Sequence, residues 1–174
     1  MGDETKSIGL IGFMATGKST VGMRLGKMLG REFIDTDMTI EKTTGMTISE
    51  IFSERGESQF RALESEVVKE VCSRKSVVIS FGGGAPLNHS NAALIRESSI
   101  VVLLQASVET LVSRIERNEL RPLLVGISTN LRERVTEMLE TRRAVYEDLA
   151  HLVVDTDGKS TTQTAREVLE RLNL

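Results

Sequence analysis

The chain has 174 residues, which suits one domain with its own hydrophobic core, and its single cysteine excludes an internal disulfide. Hydrophobic residues make up 40% of the chain and charged residues 27%, while a net charge of −3 disfavours nucleic acid or an anionic membrane as a main partner. No apolar run reaches membrane-spanning length and the polar N-terminus lacks a signal-peptide core, so we expect a cytoplasmic protein. No strongly apolar exposed face stands out, which favours a monomer.

Short apolar runs alternate with longer amphipathic patterns along the chain. Continuous apolar runs such as Val77-Val78-Ile79 suit strands that are covered on both faces, as in a parallel sheet. The predicted strands span residues 7–13, 32–35, 77–80, 100–104 and 152–155. The predicted helices span residues 18–29, 38–44, 48–55, 57–73, 90–97, 107–116, 131–150 and 162–172. This alternation predicts a three-layer α/β/α domain around a five-stranded parallel sheet.

Two regions interrupt the alternation within what we expect to be one domain. About three helices, rather than one, lie between the second and third predicted strands, and such an insertion (residues 36–73) predicts a helical substrate-binding lobe. Residues 117–129, with Pro122 and Gly126, lie between two helices and predict a mobile lid.

The run GFMATGKST, residues 12–20, predicts a phosphate-binding loop. It follows an apolar strand and opens a helix, and it has the pattern G-x-x-x-x-G-K-S. Backbone N–H groups and the helix N-terminus can hold a polyphosphate, Lys18 can reach its terminal phosphates, and the Ser19 hydroxyl can bind Mg²⁺. The alternative is a glycine-rich turn that matches by chance. The predicted nucleotide-binding residues here are Ala15, Thr16, Gly17, Lys18, Ser19 and Thr20.

Asp35 and Asp37 form a D-x-D pair directly after the second predicted strand. Asp35 could hold Mg²⁺ through water, and Asp37 could orient or deprotonate an acceptor hydroxyl. The alternative is that Asp37 only caps the following helix. Because ligands of this fold class bind beyond the carboxyl ends of the strands, we expect both carboxylates to lie beside the phosphate loop.

Three consecutive glycines follow the third predicted strand. Gly82, Gly83 and Gly84 suggest that the backbone approaches a ligand closely, although a simple tight turn would also use them. They are predicted to meet the phosphate loop and the D-x-D pair at one crevice.

Arg142 lies on the inward stripe of the last long predicted helix. A cation on an inward face needs an anion, which is either a protein carboxylate or a bound carboxylate or phosphate. Arg143 points elsewhere. The apolar stripe consists of Leu131, Val135, Met138, Leu139, Val145, Tyr146 and Leu149.

Two further arginines have an ordinary alternative beside the functional one. Arg61 lies at the edge of an apolar helix face, where Glu64 can hold it and Glu57 could be a dipole partner, but an arginine at such a position, taken alone, is more often a solvated residue. Arg121 lies in the predicted lid, where it could neutralise a transferring phosphoryl group or be an exposed loop charge.

Together these segments resemble the shikimate kinase family over nearly the whole chain. The family belongs to the small phosphate-loop kinases of the nucleoside-monophosphate-kinase-like group. The resemblance rests on an ordered set of motifs, which is far more specific than a phosphate loop alone. These motifs are GFMATGKSTVG, FIDTDMTIE, ISEIFSERGESQFRALES, SFGGGA, RPLL and the helix that carries Arg142 and Tyr146.

The resemblance implies Mg²⁺-dependent transfer of the ATP γ-phosphoryl group to the 3-hydroxyl of shikimate. It implies that Asp37 lies at the acceptor hydroxyl and that shikimate is surrounded by Arg61, Gly83 and Arg142. It also implies that Lys18 and Arg121 contact the transferring phosphate, with Ser19 on Mg²⁺, Asp35 nearby and Arg114 stacked on adenine.

Three positions depart from the family pattern. Ala15 stands where the family often has glycine, Ala144 replaces the proline of an R-x-P-x-Y pattern, and residues 156–162 lack the proline often seen near adenine.

Two other functions remain open on the sequence. One is a kinase for another small hydroxylated acid, such as gluconate, or for a nucleotide, although aromatic residues that could stack a second base make up only 3% of the chain. The other is a non-catalytic nucleotide-binding relative, which the presence of all the candidate acceptor and metal residues disfavours.

Overall fold

The computed structural model describes residues 6–117 and 130–174. The strands are Ser7–Ile11 (β1), Phe33–Asp35 (β2), Val78–Ser80 (β3), Ser99–Gln105 (β4) and Leu152–Asp155 (β5). The helices are Lys18–Leu29 (α1), Thr36–Thr44 (α2), Ile48–Cys72 (α3), His89–Ser98 (α4), Val108–Arg117 (α5), Leu131–Leu149 (α6) and Thr161–Leu172 (α7). A short 3₁₀ helix, Ala85–Leu87, precedes α4 and was not predicted.

The five strands form one parallel sheet in the order β2-β3-β1-β4-β5. All five residues of the central strand β1 are buried, which explains why its sequence reads as a continuous apolar run rather than as an alternation. Ile8 and Leu10 face a core shared with α1 and α7, whereas Ile11 faces a larger core shared with α3 to α6. The predicted three-layer α/β/α architecture is therefore confirmed.

The strand order brings three chemically important turns to one edge of the sheet. The phosphate loop follows β1, the D-x-D pair lies at the end of β2, and the glycine triplet follows β3. Since β2, β3 and β1 are neighbours and run in the same direction, their carboxyl ends adjoin. This adjacency produces the single crevice that the sequence predicted.

The predicted break in the helical insertion occurs at Gly56. The α3 assignment runs through residues 48–72, but Gly56 has φ 80° and ψ 168°, which no α-helix accommodates. The two predicted helices are thus the two halves of α3. A capping box between Thr47 and Glu50 begins the first half.

Two sequence expectations about local structure are wrong. Val145 is 37% exposed rather than part of the inward stripe of α6, because the helix buries the narrower face that carries Val135, Tyr146 and Leu149. Strand β1 ends at Ile11 instead of residue 13, because Gly12 adopts φ 141° and turns the chain into the loop.

Ala15 adopts a left-handed conformation with φ 61°. A side chain in this region is crowded by the backbone, at a cost of about 1–2 kcal/mol, whereas glycine is not penalised. The left-handed backbone gives a physical reason for the family's frequent glycine at this position.

We therefore expect Ala15→Gly to raise the free energy of unfolding by about 0.5–1 kcal/mol, after the greater flexibility of unfolded glycine is subtracted. Urea denaturation at constant pH measures this change. The matched control is Gly30→Ala, because Gly30 has φ 65° and open space around its Cα. That control should lose about 1 kcal/mol, and a destabilised Ala15→Gly variant would contradict the strain at Ala15.

Candidate active site

The phosphate loop is held by contacts between its own side chains and its own backbone. Lys18 Nζ donates hydrogen bonds to the carbonyl oxygens of Gly12 and Phe13, both at 2.9 Å. The buried Thr16 hydroxyl donates to the Phe13 carbonyl at 2.9 Å as well. Burial lowers the pKa of Lys18 to about 8, although the charges of Asp37 and Asp35 oppose that shift. Lys18 thus remains mostly cationic at neutral pH.

Asp35 links the phosphate loop to helix α2. Its Oδ2 atom accepts a hydrogen bond from the Ser19 hydroxyl at 2.6 Å. Its Oδ1 atom accepts from the backbone N–H groups of Asp37 and Met38 at 3.0 and 3.2 Å. The N-cap of α2 is therefore Asp35, and the alternative that Asp37 caps this helix is wrong.

Asp37, in contrast, has an unsatisfied carboxylate. Its Oδ1 atom is buried without a hydrogen-bond partner among the described residues. Burial is the main cause that raises the pKa of Asp37 to about 6; the negative charge of Asp35 adds to the shift and the Lys18 cation opposes it. A carboxylate with this pKa can accept a proton near neutral pH.

The glycine triplet makes room for the candidate side chains. A Cβ atom on Gly82 would lie 2.6 Å from Asp37 Oδ1, and one on Gly84 would lie 2.8 Å from Arg61 Cζ. The Gly82 N–H donates to the buried Thr36 hydroxyl at 2.9 Å, and the Gly83 carbonyl accepts from the Tyr146 hydroxyl at 2.6 Å. The turn therefore packs directly against Asp37 and Arg61. The alternative, a simple tight turn, does not explain these contacts.

Arg61 is fixed by two carboxylates on its own helix. Its guanidinium forms ion pairs with Glu64 at 2.7 Å and with Glu57 at 3.3 Å. Glu64 is only 1% exposed, so this pair anchors Arg61 to the inner face of α3. The guanidinium also lies 5.1 Å from the centre of the Phe60 ring. Arg61 is therefore a positioned group and not a freely solvated one.

Arg142 is half-buried and lies over the Phe13 ring at 5.7 Å, which places it beside the phosphate loop. The ion pairs within residues 6–117 and 130–174 do not include Arg142, so the internal salt bridge suggested as an alternative is not formed there. A guanidinium with an aromatic neighbour and no paired carboxylate can bind an external anion.

Arg114 lies on the other side of the phosphate loop. It donates hydrogen bonds to the carbonyl of Ala15 and to the hydroxyl and carbonyl of Thr156, all at 3.1 Å. It therefore ties the phosphate loop to the segment after β5. A cavity of about 270 Å³ adjoins these groups and is lined also by Gly17, Thr20, Lys159 and Thr161.

The crevice thus brings together most of the predicted residues. Of the predicted lid at 117–129, residue Arg117 ends helix α5, while residues 118–129, with Arg121, lie outside the described residues. Sequence reasoning missed the parts played by Thr36, Tyr146 and Thr156, whose hydroxyls hold the turns of the site in place. The position of Thr36 inside the D-x-D pair was the one local signal that could have pointed to it.

Oxygen ligands near the phosphate loop are few. Within residues 6–117 and 130–174, no group of three or more histidine, cysteine, aspartate or glutamate side chains could hold a metal ion. The hydroxyl–carboxylate pair of Ser19 and Asp35 nevertheless matches Mg²⁺, which prefers oxygen and commonly takes one or two protein ligands besides phosphates and water.

Among the helices of residues 6–117 and 130–174, none has the length and the apolar composition of a transmembrane segment.

Comparison with known proteins gives a consistent result. The family model for shikimate kinase matches residues 14–173. A shikimate kinase from Pelotomaculum thermopropionicum is 41% identical over 167 residues, which cover 96% of this chain and 95% of that protein.

Solved structures agree with the family match. A shikimate kinase from Acinetobacter baumannii in complex with shikimate has a TM-score of 0.91 and 37% identity, over 97% of this chain and 93% of that one. A shikimate kinase from Bacteroides thetaiotaomicron has a TM-score of 0.89 and 32% identity, over 98% and 99% of the two chains. Together with the phosphate loop and the acidic and basic groups around it, these matches show that the chain belongs to the shikimate kinase family of ATP-dependent kinases.

Proposed function

We propose that this chain transfers the γ-phosphoryl group of ATP to the 3-hydroxyl of shikimate and that Asp37 accepts the hydroxyl proton. The observation that carries the proposal is the unsatisfied carboxylate of Asp37, which lies between the phosphate loop and the glycine triplet. Family membership supports both substrates.

The donor half of the site consists of the phosphate loop and its cationic lysine. Backbone N–H groups of residues 15–20 bind the polyphosphate, and Lys18 exchanges its bonds to Gly12 and Phe13 for bonds to the terminal phosphates. Ser19 and Asp35 would hold Mg²⁺, which neutralises phosphate charge when bound. The nucleotide base lies in the cavity beside Arg114, whose bonds to Ala15 and Thr156 fix the shape of that cavity.

The acceptor half supplies a base and two guanidinium groups. The acceptor oxygen attacks the γ-phosphorus in line, the bond from that phosphorus to the bridging oxygen breaks, and ADP leaves. The hydroxyl proton moves to Asp37, whose pKa of about 6 keeps it mostly deprotonated before the reaction at neutral pH. Arg61 and Arg142 bind the shikimate carboxylate, and the glycine triplet lines the ring.

The proposal also covers the domain organisation, localisation and oligomeric state of the chain. The chain would act as one domain, a cytoplasmic monomer, in which residues 36–73 form the acceptor-binding lobe. Arg121 in the predicted lid stays a prediction, as a group that contacts the transferring phosphate.

An acceptor panel tests the function directly. ADP release by the purified chain is measured with MgATP and shikimate, gluconate or a nucleoside monophosphate. We expect turnover that depends on shikimate and exceeds the background ATPase rate. Turnover with gluconate or a nucleotide instead would establish one of the alternative kinases, and no acceptor-dependent turnover would favour a non-catalytic binding protein.

Asp37→Asn tests the proton acceptor. We expect kcat to fall by about 10²–10⁴-fold, because the amide cannot take the proton. In the unaltered chain, kcat/KM for shikimate should rise with pH through about 6, as Asp37 loses its proton. A variant that keeps kcat would show that Asp37 is not the base.

The same substitution has a predicted effect on stability. The pKa of Asp37 is raised in the folded state, so its folded form binds the proton more tightly than the unfolded form. Asp37 thus stabilises the fold below about pH 4 and loses that contribution as the pH rises through about 6. Asp37→Asn should therefore raise Tm more at pH 7.5 than at pH 4.

Arg142→Ala tests the binding of the shikimate carboxylate. We expect the KM for shikimate to rise about 10- to 100-fold while the KM for ATP stays within about twofold, because a charge-assisted hydrogen bond contributes about 1.5–3 kcal/mol. The matched control is Arg143→Ala, since Arg143 is exposed on the same helix and has no proposed role. An unchanged KM for shikimate in Arg142→Ala would show that Arg142 is only structural.

A further inference from the structure

Tyr146 is the only tyrosine in the chain, and it joins helix α6 to the glycine triplet. Its side chain is 2% exposed, and its hydroxyl donates a 2.6 Å hydrogen bond to the carbonyl oxygen of Gly83. The two residues are 63 positions apart in the chain, so this bond fixes a long-range relation between two elements of the site.

The same phenol faces Arg142, one helical turn earlier on α6. The positive charge of Arg142 lies close enough to the phenol to act on it, and the Arg142 guanidinium also lies over the ring of Phe13. Residues i and i+4 lie on one face of a helix, so Arg142 and Tyr146 approach the site together. Their neighbours Arg143 and Val145 are exposed. Arg142 therefore lies against the Phe13 ring and on the same helix face as the Tyr146 phenol.

The residues on either side of Gly83 contact the other acceptor groups. Gly82 packs against Asp37 and donates its N–H to Thr36, while Gly84 packs against Arg61. A shift of the Gly83 carbonyl would therefore move the backbone beside the base and beside the second arginine. The Tyr146 hydroxyl is the described contact that fixes this backbone relative to Arg142.

We propose that Tyr146 is a positioning residue for the acid-binding half of the site: its hydroxyl holds the Gly83 carbonyl at the spacing from the Arg142 guanidinium that the acceptor carboxylate requires. The inference rests on the proposed function of this crevice. It assigns no proton transfer to the phenol, which stays neutral and donates its hydrogen to the Gly83 carbonyl throughout.

Tyr146→Phe tests the proposal because it removes the hydroxyl and keeps the ring in the core. We expect the KM for shikimate to rise about 5- to 30-fold, which is the fold-change for a lost buried hydrogen bond that leaves its acceptor unsatisfied. The KM for ATP should stay within about threefold. Titration calorimetry with shikimate alone, well below Tm, should show the same loss of affinity.

Ser7→Ala is the matched control for the loss of a buried hydroxyl. Ser7 is 1% exposed, but it lies at the opposite end of β1, where its hydroxyl bonds to the Arg74 carbonyl. This variant should leave both KM values within about twofold even where its Tm falls. An equal rise of both KM values in Tyr146→Phe would indicate general loosening and would overturn the proposal.

A double-mutant cycle separates positioning from mere packing. If Tyr146 acts through Arg142, then Tyr146→Phe should change the KM for shikimate by less than about threefold in an Arg142→Ala background, because the group that it orients is gone. A full effect in that background, or an unchanged KM in the single variant, would overturn the proposal. Failure of the proposed function looks different, since the unaltered chain would then show no turnover with shikimate.

Discussion

The carboxylate of Asp35 is the contact on which the rest of the site depends. One oxygen binds the hydroxyl of Ser19 at the start of α1, and the other caps α2 through the N–H groups of Asp37 and Met38. The helix that follows the phosphate loop and the helix that carries Asp37 are therefore joined by a single side chain. Because Asp35 is only 8% exposed, its hydrogen bonds lie in a region of low dielectric constant, which strengthens them. The distance between the donor and acceptor halves of the crevice is thus set by the fold before any substrate binds.

The same geometry also places two neighbouring carboxylates in different hydrogen-bonding environments. Asp35 has its oxygens satisfied by a hydroxyl and two N–H groups, whereas Asp37 keeps a buried oxygen without a partner in the described part of the chain. Burial and the charge of Asp35 then raise the pKa of Asp37 to about 6, while Lys18 keeps it from rising further. Two acidic residues of the same type thereby acquire different environments, which suit the proposed roles of Asp35 as an oxygen ligand and of Asp37 as a base. A structure that satisfied Asp37 as fully as Asp35 would leave it a weaker base.

The sequence predicted the parts of this arrangement that depend on local pattern. Continuous apolar runs predicted a buried parallel sheet, and the loop motif predicted the phosphate site, because both signals lie within a few neighbouring residues. The D-x-D pair could not reveal which aspartate caps α2, since either position can serve as an N-cap and only the backbone path decides. The bond from Tyr146 to Gly83 could not be predicted either, because it joins residues 63 apart and depends on how α6 packs against the sheet. The left-handed φ of Ala15, where a glycine would be unstrained, could not be predicted from the sequence pattern either.

The two arginines of the acceptor half differ in how far protein carboxylates neutralise their positive charge. Arg61 is paired with Glu57 and Glu64, so much of its charge is already neutralised and its main property is a fixed orientation. Arg142 forms no ion pair within the described residues; it lies over the Phe13 ring, and the carboxylate of Glu64 acts on it from beyond ion-pair distance. If the acceptor carboxylate binds here as proposed, Arg142 would supply more of the free positive charge and Arg61 a more fixed set of hydrogen-bond donors. This division would allow a crevice with three buried or half-buried carboxylates, beside the exposed Glu57, to bind the proposed anionic acceptor: Arg61 compensates Glu57 and Glu64, Lys18 lies beside Asp35 and Asp37, and Arg142 supplies further positive charge.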